Sequence, residues 1–183
     1  SRESLELAYE KINVQYQLIQ PVTNGYRLLT EAEWEWLARF NGGAGKQRYP
    51  WGESMPVATE SGNYADESGE GLIANVLTDY WDGYPVTSPA EKFNPSPLGI
   101  YDLGGNVAEW VNDYYAVYPT NLKQAELDPL GPGEGTVRVI RGSSWRHSSI
   151  SSLRFTYRDY GTLGRLDVGF RIARYTDTSN IDE

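Results

Sequence analysis

The chain has 183 residues, a length that fits one domain or one domain with a small appendage. Its 39% hydrophobic content, with 6 Trp and 14 Tyr, supplies a core and excludes a disordered chain, and no run of about 18 apolar residues exists to span a membrane. The absence of cysteine excludes disulfides, thiolate metal sites, iron–sulfur clusters and a cysteine nucleophile. With His147 the only histidine, oxygen ligation of calcium or magnesium is what remains for metals.

The net charge of −9 is unevenly spread. Residues 1–137 hold 8 basic and 20 acidic side chains. Residues 138–174 hold eight arginines against Asp159 and Asp167, and 175–183 is acidic again. An arginine-rich third could face nucleic acid, or its arginines could pair with the acids upstream. The overall acidic field and the lack of any nucleic-acid motif favour internal pairing and no nucleic-acid partner. The opening Ser1-Arg2-Glu3-Ser4 is unlike a signal peptide.

In chain order, Ile12, Val14, Tyr16 and Leu18 alternate, which predicts a half-buried strand over 10–19, ended by Pro21-Val22-Thr23-Asn24-Gly25. Thr30-Glu31-Ala32-Glu33 is a capping box. It opens a helix whose Trp34, Leu37 and Ala38 share one face and whose stop is Asn41-Gly42-Gly43. From Gly42 to Pro97 the chain is rich in Gly, Pro, Asn, Asp and Ser, too long a loop unless something such as a bound ion orders it. A second helix is expected from Asn106 or Val107 to about Tyr114. A further irregular stretch after Pro119 ends at Gly131-Pro132-Gly133. Residues 137–141, 153–158 and 168–174 read as strands of a small antiparallel sheet. Short antiparallel strands, two main helices and much irregular chain make an α+β fold.

The motifs point further. Tyr26 to Trp36, with its Arg27-Leu28-Leu29-Thr30-Glu31-Ala32-Glu33-Trp34-Glu35 core, resembles a signature of the formylglycine-generating enzyme family, or sulfatase-modifying factor domains. The same order continues with Tyr49-Pro50-Trp51-Gly52 and with the run from Gly99 to Trp110. It goes on through Asp128 to Pro132, Arg138 to Trp145, Arg154 with Arg158, and Gly169-Phe170-Arg171. The resemblance implies a C-type-lectin-like fold over residues 1–175, followed by an acidic tail at 176–183. It also implies that a first part of the domain precedes Ser1, so that part becomes an expected partner segment.

In that family the enzyme uses two cysteines, which bind copper, just after the motif matched by Gly142-Ser143-Ser144-Trp145. No alignment gives this chain a cysteine there, so neither copper nor that oxidase chemistry is expected of it. Sulfoxide-synthase relatives with nonheme iron and PvdO-type relatives remain alternatives for a larger enzyme whose catalytic residues lie outside this chain. The resemblance further implies one or two calcium ions. The first would take side-chain oxygens of Asn63 and Asp82 and carbonyls of Tyr64 and Tyr84. The second would take the Glu109 carboxylate and carbonyls of Gly104, Gly105 and Val107. The alternative for these acids is that they cap turns or pair with arginines.

Trp34, Trp51, Trp110 and Trp145 read as core, and Arg141, Arg154, Arg158 and Arg171 as structural forks onto carboxylates. No catalytic residue is assigned. As a general base His147 would need an orienting partner and a nucleophile within reach; Ser144, Ser148 and Ser149 are near in sequence, but no G-x-S-x-G elbow is present. The expected function is a binding module for a protein or small-molecule ligand. Its groove would be built from Trp145, Arg146, His147, Ser148, Ser149, Ser151, Ser152, Tyr160 and Arg165. Localisation stays open, with a bacterial cell-envelope or extracellular place expected.

Overall fold

The computed structural model describes residues 4–40, 46–118 and 126–176. The helix is set by its cap. The Thr30 hydroxyl accepts from Glu33 N–H at 3.2 Å while the Glu33 carboxylate accepts from Thr30 N–H at 2.8 Å. Together they start α1, Glu31–Arg39. Its face carrying Trp34 and Ala38 is buried, and Phe40 caps its far end. The Asn41-Gly42-Gly43 stop lies outside the described residues.

Two strands flank the helix's entry, β1 (Tyr9–Ile12) and β2 (Gln15–Leu18), followed by β3 (Arg27–Leu28). The single strand expected over 10–19 is instead an antiparallel hairpin in which Ile12 pairs with Gln15. Asn13 takes φ 57°, the left-handed turn conformation Asn tolerates. Next come β4 (Ala108–Tyr114), β5 (Arg138–Arg141), β6 (Arg158–Gly161), β7 (Val168–Phe170) and β8 (Ile172–Ala173). The main sheet has the order β6-β5-β4-β7, and β3 pairs with β8.

The second helix expected at 106–114 is therefore a strand. Gly105 and Asn106 have φ of 94° and 61°, which no right-handed helix continues. β4 is buried almost throughout on both faces, which hides its two-residue alternation. The sheet is also mixed, not antiparallel, because β7 runs parallel to β4, with Glu109 opposite Gly169. Residues 153–157 form turns, and the expected 168–174 strand breaks at Arg171 into two pieces with different partners.

The main core lies between α1 and the sheet and joins Leu29, Trp34, Leu103, Val111, Val139 and Phe155. Trp34 meets Phe155 edge-on at 6.2 Å. A second cluster of Tyr49, Val57, Tyr64, Tyr80 and Leu153 orders the long irregular region, where a single 3-10 turn, Glu67–Gly69, is the sole helical element among the described residues. Of the four tryptophans expected in the core, only Trp34 is fully buried. Trp51, Trp110 and Trp145 are half-buried at the margins.

The arginines of the last third fork onto upstream acids. Arg141 binds Glu31 and Glu35, Arg158 binds Glu31, and Arg171 binds Glu109. They tie the C-terminal strands to α1 and to β4.

Candidate functional site: a groove beside His147

After β5 the chain turns at Gly142, whose φ is 78°. Ser144 is then fully buried, and its hydroxyl donates to the Asp167 carboxylate at 3.2 Å. A tight turn follows: His147 N–H donates to Ser144 O at 3.0 Å and Arg146 N–H to Ser144 Oγ at 3.3 Å. A second turn is held by the Ser149 hydroxyl, which accepts from Ser152 N–H at 3.1 Å, with Leu153 buried behind it.

These turns form one wall of an open groove of about 800 Å³. Leu72–Asn75 with Val86 form a second stretch of its lining, and Tyr157 and Leu166 complete it. The two stretches are joined by Ser148 Oγ donating to Asn75 O at 2.8 Å, and the backbone of His147 is further held by Ala65 N–H donating to its carbonyl at 3.0 Å.

Seven of the residues expected in the binding set line this groove together: Trp145, Arg146, His147, Ser148, Ser149, Ser151 and Ser152. Tyr160 and Arg165 are not among its lining residues. Arg165 is committed to Asp159 at 2.6 Å and Asp167 at 3.2 Å. Tyr160 packs on Tyr115 with ring centroids 4.5 Å apart. The Leu72–Asn75 wall escaped sequence reasoning because it has no periodicity; only the spatial link from Ser148 to Asn75 marks it.

The imidazole is oriented by its neighbours. Ser144 N–H donates to Nδ1 of His147 at 2.9 Å, so the neutral ring carries its proton on Nε2. Burial lowers the His147 pKa below its ordinary value, partly opposed by the charge of Asp167. Burial alone would raise the Asp167 carboxyl, but the Arg165 guanidinium holds it below its usual range. The Ser144 hydroxyl also lies 3.1 Å from Nδ1, but it is fully buried and donates to Asp167, so the serine within reach of the ring is not open to a substrate.

The two expected cation sets differ in how well their residues fit an ion. In the first, Asn63 is fully buried and its Oδ1 has no hydrogen-bond partner, an acceptor left open. The Asp82 carboxylate caps the local turns, accepting from Tyr64 N–H at 2.9 Å and Tyr84 N–H at 2.8 Å. Asp82 N–H in turn donates to the buried Asp66. Burial raises Asp82 to about 6, and the charge of Asp66 pushes the same way. An open buried oxygen, and an Asp82 carboxyl raised by burial and by the Asp66 charge, fit an oxygen-seeking cation.

In the second set both Glu109 oxygens are bonded. Oε2 accepts from Trp34 Nε1 at 2.7 Å and Arg171 Nε at 2.7 Å, while Oε1 accepts from Arg171 Nη2 at 2.5 Å. Gly104 O accepts from the Tyr64 hydroxyl at 3.2 Å. The guanidinium already supplies the positive charge there, so this set fits an ion poorly. Among the described residues no cluster of three Asp, Glu, His or Cys side chains could hold a metal alone. A cation would therefore depend on the Asp82 carboxylate together with the Asn63 amide and backbone carbonyls.

Comparison with known proteins places these features in context. A family model described as sulfatase-modifying factor enzyme 1-like domain matches residues 6–176. A formylglycine-generating enzyme of Streptomyces coelicolor is 36% identical over 165 residues, covering 85% of this chain and 49% of that protein. A Bos taurus protein named inactive C-alpha-formylglycine-generating enzyme 2 is 30% identical over 179 residues, covering 94% of this chain and 52% of its own. Among solved structures, Treponema denticola variable protein 1 matches with a TM-score of 0.65 and 30% identity, over 87% of this chain and 50% of that one. The chain spans about half the length of these relatives.

Proposed function

The chain belongs to the sulfatase-modifying factor enzyme 1-like family, and on that footing we propose that it is a non-catalytic member which binds a ligand in the groove beside His147. The observation that carries this reading is the gathering of Trp145, Arg146, His147 and four serines onto one open groove. The size of that groove suits a ligand-binding cleft. Two features support binding over chemistry. The chain has no cysteine, so the family's thiolate chemistry has no residue to use. The His147 imidazole, with Nδ1 held by Ser144 N–H, offers a donor to a ligand, and the hydroxyl near Nδ1, Ser144 Oγ, is fully buried and bonded to Asp167. The relative named as inactive shows that the family contains members described as such.

Calcium stabilisation is part of the same proposal. One ion would be held by Asn63 Oδ1, the Asp82 carboxylate and the carbonyls of Tyr64 and Tyr84. It would offset the mutual repulsion of Asp66 and Asp82 that burial intensifies. The ion would act on stability, since Ala65, between Tyr64 and Asp66, also holds the backbone of His147.

The test is a groove plug. Ser151 is exposed on the lining, so Ser151→Trp fills the groove without disturbing the core. Immobilised wild-type chain should retain a stoichiometric partner from its source extract that the plugged variant does not. Equal retention by both would overturn the groove as the binding site. Conversion of a cysteine peptide to an aldehyde by the purified chain would overturn the non-catalytic reading.

A further inference from the structure

The groove has a chemical bias that narrows what it takes. The chain carries 25 acidic residues, yet among the described residues no acid lines this groove. Its polar lining is instead dominated by donors. Arg146 is exposed, makes no ion pair among the described residues, and rests over the Trp145 ring at 5.6 Å. His147 presents Nε2–H, because its other nitrogen accepts from Ser144 N–H. Around these donors stand apolar side chains exposed to solvent, Leu72 at 71% and Leu166 at 87%.

We propose that the groove takes an acidic peptide segment of a partner protein, with a carboxylate received by Arg146 and His147 and apolar flanks laid on Leu72 and Leu166. This deepens the binding reading above and rests on it. Charge complementarity selects the carboxylate. In a chain with a net charge of −9, a lone unpaired guanidinium beside neutral donors is where an anion is least repelled. Extent selects the peptide. A small acid would satisfy the donors but leave both exposed leucines uncovered, whereas a segment of several residues spans the open groove and buries them. The Asp159 and Asp167 carboxylates do not compete, because each is already paired with Arg165.

Fluorescence anisotropy tests the proposal with a labelled hexapeptide of alternating Leu and Glu, its Leu/Gln and Leu/Lys counterparts, and N-acetyl-leucine as a competing small acid. The Leu/Glu peptide should bind the wild-type chain at least about tenfold tighter than the Leu/Gln peptide, the scale of one charge-assisted hydrogen bond. Arg146→Gln, a surface change that leaves folding intact, should remove most of that preference. His147→Phe should weaken the Leu/Glu peptide alone. Equal binding of the Leu/Glu and Leu/Gln peptides would overturn the acid preference while leaving a peptide groove standing. Displacement by N-acetyl-leucine as effective as by unlabelled peptide would overturn the peptide in favour of a small acid. Leu/Glu binding unaffected by Arg146→Gln, His147→Phe and Ser151→Trp would overturn both this inference and the groove itself.

Discussion

Ser144 donates its backbone N–H to Nδ1 of His147 across 2.9 Å, and that bond fixes the imidazole as an Nε2–H donor. Nitrogen-15 NMR should find Nδ1 unprotonated at neutral pH and a His147 pKa below 6.5, lowered by burial. In the unfolded chain the ring titrates at its ordinary value. The unfolded state therefore takes up the proton first, and the His147 contribution to stability falls as pH drops below about 6.5. A protonated Nδ1, or a pKa above the ordinary value, would show that the ring is not held as described.

Arg141 is 1% exposed, and its guanidinium links Glu31, Glu35 and the Phe155 carbonyl at 3.1, 2.9 and 2.9 Å. Arg141→Leu should cost about 3 kcal/mol, because it strands buried acceptors on α1 and on the core turn. Arg141→Lys should recover little of it, since a single ammonium cannot reach all three. Urea unfolding gives the answer through the midpoint at unchanged slope. A loss under about 1 kcal/mol, the scale of an exposed pair, would mean the network contributes little.

The parts of this fold that were legible in the sequence are the local ones. The capping box at Thr30 and Glu33 marked α1 because all its determinants lie within four residues. β4 was misread as a helix because Ala108-Glu109-Trp110-Val111 carries no alternation once both faces are covered. Its partners lie some thirty residues on, in β5, and about sixty on, in β7. The hairpin turn at Asn13 was hidden for a different reason. An Asn in the left-handed region looks like any polar position in an alternating run. At the site, one wall was legible as the continuous stretch from Trp145 to Ser152, while Leu72–Asn75 is brought to it by tertiary contacts no local pattern encodes. Tyr160 and Arg165 are close to that stretch in sequence, but β6 and the pairing with Asp159 and Asp167 turn them to other tasks.

Asp113 is 5% exposed and accepts from Glu31 N–H at 2.7 Å, at the start of α1. Burial raises its carboxyl from 3.8 to about 6, with the Glu31 charge adding to the rise. Between those values the folded chain binds more protons than the unfolded one. The Asp113 contribution to stability therefore falls as pH rises through that window and is level above it. Asp113→Asn keeps the acceptor and removes the titration. It should be more stable than wild type at pH 7 by up to about 3 kcal/mol, with the gap closing near pH 4. A gap that is constant across pH, or reversed at pH 7, would show that Asp113 is not held as a strained carboxylate.

The last prediction separates the two cation sets by their carboxylates. If the Asn63 and Asp82 oxygens hold calcium, the melting midpoint should rise with free ion, by about 2.7 kcal/mol of stability at one hundred times the dissociation constant. EDTA should reverse it, and magnesium should substitute poorly, because its stricter geometry suits mixed amide and carbonyl oxygens less. Asp82→Asn and Asn63→Ala should each abolish the response. Glu109→Gln should leave it intact while lowering the baseline stability, because Arg171 and Trp34 lose their partner. The opposite pattern, a response lost with Glu109 and kept with Asp82, would move the ion to the second set and require Arg171 to release the carboxylate on binding. No response in any variant would leave the open Asn63 oxygen to ordered water and the acidic loop to its own turn hydrogen bonds.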